Sequence, residues 1–307
     1  MTAKEIFFDI INYFHKDDNF NRITFGLSNT SSLFRLIRWR ASDAILLLLL
    51  FILDFFVGNL SPFERQFYIN DLTIAHPFAE RERVNDIELF LYAVWFPLVV
   101  IFALSLIITK PRNKIYVTLV SLLGLGISVF STSIFTNILK NFIGRHRPDF
   151  LARCVPKKDT PKDMLVFAKD VCTSKDLKIL KDGFRTTPSG HSSMSFSGLF
   201  YLSMWLSGQL VVTNELTGSW RTTIAFIPTL GASLIAISRT EDYRHHFVDI
   251  IIGAIIGTAI ASWSYFRLFP SLFHRRCYEP ILIIKESGNE EESETNFSYN
   301  TLNNDVL

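Results

Sequence analysis

Lys140-Asn-Phe-Ile-Gly-Arg-His-Arg147-Pro148 closes one long apolar run, Pro188-Ser189-Gly190-His191 opens another, and Ser238-Arg239-Thr-Glu-Asp-Tyr-Arg-His245-His-Phe-Val-Asp249 joins two more. The apolar runs around these blocks set the fold class. Runs of roughly 18 residues or more with almost no charge read as membrane-crossing helices. Six are expected, near 42–60, 87–109, 115–139, 192–212, 222–237 and 247–269. The fifth is short and contains Pro228 and Gly231, both unfavourable inside a helix. An apolar fraction of 49% with 29 phenylalanines agrees with an all-α, polytopic membrane protein. A net charge of +2 gives no reason to expect a nucleic-acid partner.

Charge near the ends of the runs orients them. Arg35, Arg38 and Arg40 precede the first run, Lys110, Arg112 and Lys114 fill the link between the second and third, and Arg267, Arg275 and Arg276 follow the sixth. Positive flanks favour the cytosol, so both termini are expected there and the three polar blocks on the opposite face. Three parts follow: an N-terminal segment 1–41, a six-span domain 42–270 with an extracytosolic loop 140–191, and an acidic tail 271–307 with too few large apolar groups to fold. The first segment reads equally as an amphipathic surface helix or a tail. The 26-residue link 61–86 is either a structured cap or a part of the route for substrate.

The polar blocks hold the chemistry. Cleaving a phosphate ester spreads negative charge over the oxygens of the transferring group, so catalysis is mostly positioning and charge stabilisation. Arg147 and Arg239 suit this because a planar guanidinium grips two oxygens, and Lys140 adds a point charge. If the third helix continues past residue 140, Lys140 and Arg147 share a face two turns apart and Pro148 ends the helix. Ser189 and Gly190 at a helix start offer backbone N–H groups and a hydroxyl to an anion, with His191 in the first turn beside them.

His245 and Asp249 stand four apart, which on a helix brings them to one face. The acid would then accept the Nδ1 proton and leave Nε2 as a nucleophile, with His191 protonating the leaving oxygen. His246 lacks such a partner by spacing, and Arg145 reads as a cation reaching for the interface. No His-x-x-x-His pair or cysteine cluster accompanies these groups, so no metal or other cofactor is expected. Cys154 and Cys172 in the extracytosolic loop could form a disulfide or stay as thiols, and Cys277 near the last span is a candidate for lipidation.

Taken together, Lys-x6-Arg-Pro, Pro-Ser-Gly-His and Ser-Arg-x5-His-x3-Asp resemble the three signature motifs of the type 2 phosphatidic acid phosphatase superfamily, in order and with every position filled across 140–249. The resemblance implies a six-helix, haloperoxidase-like bundle, metal-independent hydrolysis and a phosphohistidine intermediate on His245. It implies an acid role for His191 and phosphate ligation by Lys140, Arg147, Ser189, Gly190, His191 and Arg239.

Gly144-Arg-x-Arg-Pro-Asp-Phe150, Arg153-Cys154, Asp242-Tyr-Arg-His-His246 and the Arg65–Pro77 stretch are similar to the lipid phosphate phosphatase branch, above all to its fungal members acting on diacylglycerol pyrophosphate. The expected partners are a phospholipid substrate and the bilayer, and the expected residence is an endomembrane with the site on the luminal side. Diacylglycerol pyrophosphate and phosphatidate are the expected substrates, with lysophosphatidate a further one. Sphingoid-base phosphates, polyisoprenyl pyrophosphates and a non-catalytic phosphate-binding scaffold are the rival readings.

Overall fold

A computed structural model describes residues 38–288, and every statement below concerns these. The N-terminal segment 1–37 and residues 289–307 lie outside them, so the readings of an amphipathic helix and of an acidic tail are not addressed there. The chain divides into a short unit, Met1–Ile45, and a second, Leu46–Leu307, which holds every residue of the site. In the first unit the described residues include an Arg40–Asp43 ion pair at 3.6 Å.

The regular structure of the described residues is helical, with two isolated β-bridges and no named strand among them. The long helices are α1 (Ala41–Gly58), α2 (Asp86–Phe90, Leu91–Trp95 and Phe96–Ile108), α3 (Lys114–Ile143), α4 (Gly190–Ser195, Phe196–Phe200 and Tyr201–Gln209), α5 (Ser219–Glu241) and α6 (Phe247–Leu268). Five are long and apolar enough to cross a membrane: α1, α2, α3, α5 and α6. The expected fourth span differs from the rest. Its helix carries Ser192, Ser193, Ser195, Ser197 and Ser203, all buried because it packs against other helices. The fifth run exceeds its expected length: α5 continues through Pro228 for 23 residues.

Hydrogen bonds and close approaches fix α4 among its neighbours. Tyr201 Oη donates to the Ser121 carbonyl at 3.0 Å and Trp205 Nε1 to Ser121 Oγ at 2.9 Å, both on α3. Gly253 and Gly257 of α6 let the backbone at Ser189 and Ser193 approach so closely that a Cβ would stand 2.6 and 2.3 Å from those carbonyl oxygens. On the other side, α2 and α4 each contain one π turn, Leu91–Trp95 and Phe196–Phe200. Pro97 has no N–H to offer the Ala93 carbonyl four residues back. That oxygen lies where a side chain on Gly198 would be, 1.7 Å from the position of its Cβ.

Residues 61–85 and 145–188 form a cap over one end of the helices, built on Phe67, Ile74, Phe150, Val166, Val171 and Phe184. Phe67 and Val166 exchange backbone hydrogen bonds at 3.2 and 3.0 Å, tying the first loop to the second. Cys154 and Cys172 are disulfide-bonded within this cap.

At the other chain end, the described residues from 271 to 288, expected to belong to the unfolded tail, are packed. Cys277 and Ile283 are buried, and Gln209 Nε2 donates to the Tyr278 carbonyl at 2.9 Å. The apolar groups up to residue 284 are what permit this packing. A buried thiol that donates to the Gly208 carbonyl is also a poor target for lipidation.

Candidate active site

The C-terminal end of α3, the N-terminal end of α4 and the turn between α5 and α6 meet beneath the cap, around a cavity of about 940 Å³. Its lining includes Lys140, Arg147, Gly190, His191, Arg239 and His245. Residues drawn from the three sequence blocks therefore share one space. Ser189 N-caps α4 with its hydroxyl accepting from Ser192 N at 3.4 Å, and its own N–H donates to the Asp249 carbonyl at 2.9 Å. A Cβ on Gly190 would lie 3.3 Å from Lys140 Nζ, so the absence of a side chain there admits the ammonium.

Lys140 and Arg147 reach the cavity by different means from a shared helix face. The α3 helix stops at Ile143, capped by Gly144 in the left-handed conformation with φ +60°. A glycine in this place is the usual helix stop. Pro148 therefore does not end the helix, and Arg147 stands on the loop beyond it. Its Nε donates to the Asp182 carbonyl at 2.9 Å and its Nη2 to Asp182 Oδ1 at 2.8 Å. Burial would raise the Asp182 pKa, but Arg147 and Arg153 outweigh that and hold its carboxyl well below the usual range.

The expected His245–Asp249 contact is not made. Helix α6 begins at Phe247 with His246 as its N-cap, so His245 precedes the helix and i,i+4 geometry does not apply. His245 Nδ1 instead donates to the Thr186 carbonyl at 2.7 Å. A carbonyl can only accept, so the proton is on Nδ1 and the lone pair is on Nε2. Asp249 takes hydrogen bonds from Thr186 Oγ1 at 2.7 Å, Thr187 Oγ1 at 2.5 Å and His246 N at 2.9 Å. It also pairs with His246 Nδ1 and Arg145 Nη1, each at 3.2 Å, which corrects the reading of both as unpartnered. Asp249 thus supports the threonine segment that in turn holds His245.

Burial, then the nearby Arg147 and Lys140 charges, push the His245 pKa well below its ordinary 6.5. A neutral imidazole with a free Nε2, beside cations that attract anions, is chemically able to act as a nucleophile toward a phosphoryl group. His191 Nε2 bonds the Val84 carbonyl at 3.0 Å.

An alternating chain of charges links the two arginines expected to bind phosphate. Asp182 joins Arg147 to Arg153, Asp149 joins Arg153 to Arg244, and Glu82 joins Arg244 to Arg239, which also pairs with Asp242 at 2.6 Å. Sequence reasoning missed Glu82, Asp182, Thr186 and Thr187. The only available hint was the run of charges at 80–83.

Cations and histidines gathered at one end of a helical membrane scaffold suit the handling of phosphate esters and match one class of protein. Residues 121–271 match the PAP2 superfamily, and the chain belongs to that superfamily. It is 51% identical over 80% of its length to diacylglycerol pyrophosphate phosphatase 1 of Saccharomyces cerevisiae, covering 85% of that protein. It is 42% identical to the probable diacylglycerol pyrophosphate phosphatase 1 of Schizosaccharomyces pombe, over 77% of this chain and 84% of that one. The probable lipid phosphate phosphatase 4 of Arabidopsis thaliana is 33% identical over 86% of this chain and 85% of its own. No solved structure matches the chain significantly.

Proposed function

We infer that this protein is a multi-pass membrane enzyme that hydrolyses lipid phosphates, removing the terminal phosphate of diacylglycerol pyrophosphate and the phosphate of phosphatidate. The observation that carries this reading is the gathering of Lys140, Arg147, Arg239, His191 and His245 around one cavity at the end of the apolar helices. The similarity to enzymes named for these reactions supports the choice of substrates.

His245 Nε2 attacks phosphorus, forming an N–P bond as the P–O bond to the lipid breaks. The departing oxygen takes a proton from His191. Lys140, Arg147, Arg239 and the amides at the start of α4 stabilise charge on the other oxygens. Water then attacks phosphorus, His191 takes its proton, the N–P bond breaks and orthophosphate leaves. Asp249 holds Thr186 and Thr187 and so keeps His245 in place. The cavity also touches Leu60, Pro62 and Leu89, giving the lipid portion apolar contacts while the head group enters. The positive flanks support cytosolic termini and a luminal site in an endomembrane.

Phosphate release from both lipids in detergent micelles with EDTA, wild type beside His245→Ala, tests this. Metal-independent release lost in the variant is expected. Release that survives the substitution contradicts the assigned nucleophile. Sphingosine phosphate and a polyisoprenyl pyrophosphate in the same assay rank the rival substrates.

A further inference from the structure

The segment between Pro77 and the N-cap of α2, Asn85, crosses the phosphate end of the site without regular structure. It occupies hydrogen-bonding groups that a substrate head group would use. Glu82 Oε2 accepts from Arg239 Nη1 at 2.7 Å, and its Oε1 pairs with Arg244 Nη2 at 2.9 Å. Two residues on, the Val84 carbonyl engages His191. A carboxylate bridging two guanidinium groups presents the charge and the paired oxygens of one face of a phosphoryl group.

The three acids around these arginines differ. Asp149 and Asp242 have side chains 0% and 5% exposed, and each makes further bonds, Asp149 to Arg153 and Asp242 to the Arg83 N–H. Glu82 is 28% exposed at the cavity, accepting a hydrogen bond from Arg239 and pairing with Arg244. It is the one of the three acids that can leave without breaking another bond.

We propose that Glu82 is a specificity-determining residue: a built-in competitor for Arg239 and Arg244 that substrate phosphate must displace, favouring head groups with more phosphoryl charge. The proposal rests on the reading of Arg239 as a phosphate ligand. A monoester near neutral pH brings a charge of about −1.5 to −2. That replaces Glu82 on Arg239 and leaves less to compensate Arg244. A pyrophosphate carries a second phosphoryl group, so one can occupy the Arg239 side while the other satisfies Arg244. Removing the carboxylate charge should therefore help the monoester more.

The test compares wild type, Glu82→Gln and Glu82→Asp in detergent, measuring kcat and KM for phosphatidate and diacylglycerol pyrophosphate. The thermal shift produced by inorganic orthophosphate is recorded beside them. Glu82→Gln is expected to lower KM for phosphatidate by roughly five- to tenfold, the size of the net contribution of one hydrogen bond. KM for the pyrophosphate should change less, so that the preference between the two narrows, and orthophosphate should stabilise the variant more than wild type.

Glu82→Asp, which keeps the charge, should retain the wild-type preference. A fall in kcat/KM for both lipids in Glu82→Gln, with a weaker orthophosphate shift, overturns the proposal and makes Glu82 a support for Arg239. Should Glu82→Gln not fold, loss of the wild-type preference in Glu82→Asp overturns it as well. Absence of lipid hydrolysis by wild type would count against the function instead, and the orthophosphate shift would still decide the role of Glu82.

Discussion

His245 Nδ1 donates to the Thr186 carbonyl at 2.7 Å, while Asp249 bonds the hydroxyls of Thr186 and Thr187 and leaves the ring alone. The acid and the histidine are thus coupled through a backbone segment. Loss of a directly bonded acid in a catalytic triad costs about 10⁴ in kcat. Asp249→Asn should cost less, roughly ten- to a hundredfold, because the Thr186 carbonyl still fixes the tautomer. The Thr186→Val/Thr187→Val pair should lower kcat by a similar factor, and combining all three changes should add little. Initial-rate kinetics on the four proteins check this.

Asp182 grips Arg147 at two points, through its carboxylate and its carbonyl. Asp182→Asn keeps the carbonyl contact and removes the ion pair that aims Nη2. Catalytic efficiency should fall roughly tenfold or more. The loss is expected in both kcat and KM, since Arg147 holds phosphate before and during transfer. Steady-state kinetics of the variant beside Arg147→Gln would measure it.

The acid limb of the rate profile should lie well below pH 6.5. Burial and the Arg147 and Lys140 charges depress the His245 pKa, so the neutral, nucleophilic form persists as pH falls through the ordinary histidine range. Lys140→Gln removes one of those charges and should move the limb upward while lowering the plateau. A pH series of single-turnover rates for both proteins separates the two effects.

His146 sits in the cap against Phe150 and Phe184, with Nε2 donating to the Arg65 carbonyl at 2.9 Å. Burial lowers its pKa to about 4, from 6.5, despite that hydrogen bond. An opened cap binds a proton at His146 near pH 6.5, whereas the closed cap resists until about pH 4. Closure is therefore fully favoured above 6.5 and weakens as pH falls to 4, by on the order of 3 kcal/mol. Hydrogen exchange in residues 145–155 should show this slope, and His146→Gln should flatten it.

Much of the site was legible because its residues come in short, local blocks at the ends of apolar runs. Lys140, Ser189, His191, Arg239 and His245 could be placed from order alone. The missing parts depend on contacts that no local pattern records. Glu82 meets Arg239 from 157 positions away, and the partner of His245 is a backbone carbonyl, which leaves no mark on residue choice. One local signal was misread: Gly144, an ordinary helix stop, ends α3 before Pro148 can. The expected span at 192–212 is the serine-rich α4, which is not among the five helices long and apolar enough to cross a membrane, since a helix surrounded by protein need not be greasy on every face.

The central claim is that His245 carries the phosphoryl group. Rapid acid-free quenching of wild type with phosphate-labelled diacylglycerol pyrophosphate tests it most directly. The account predicts a labelled protein whose bond survives alkali and breaks in acid, as phosphohistidine does, and no label on His245→Ala. Label retained by His245→Ala, or turnover by wild type with direct transfer to water and no labelled protein at any time, would contradict it.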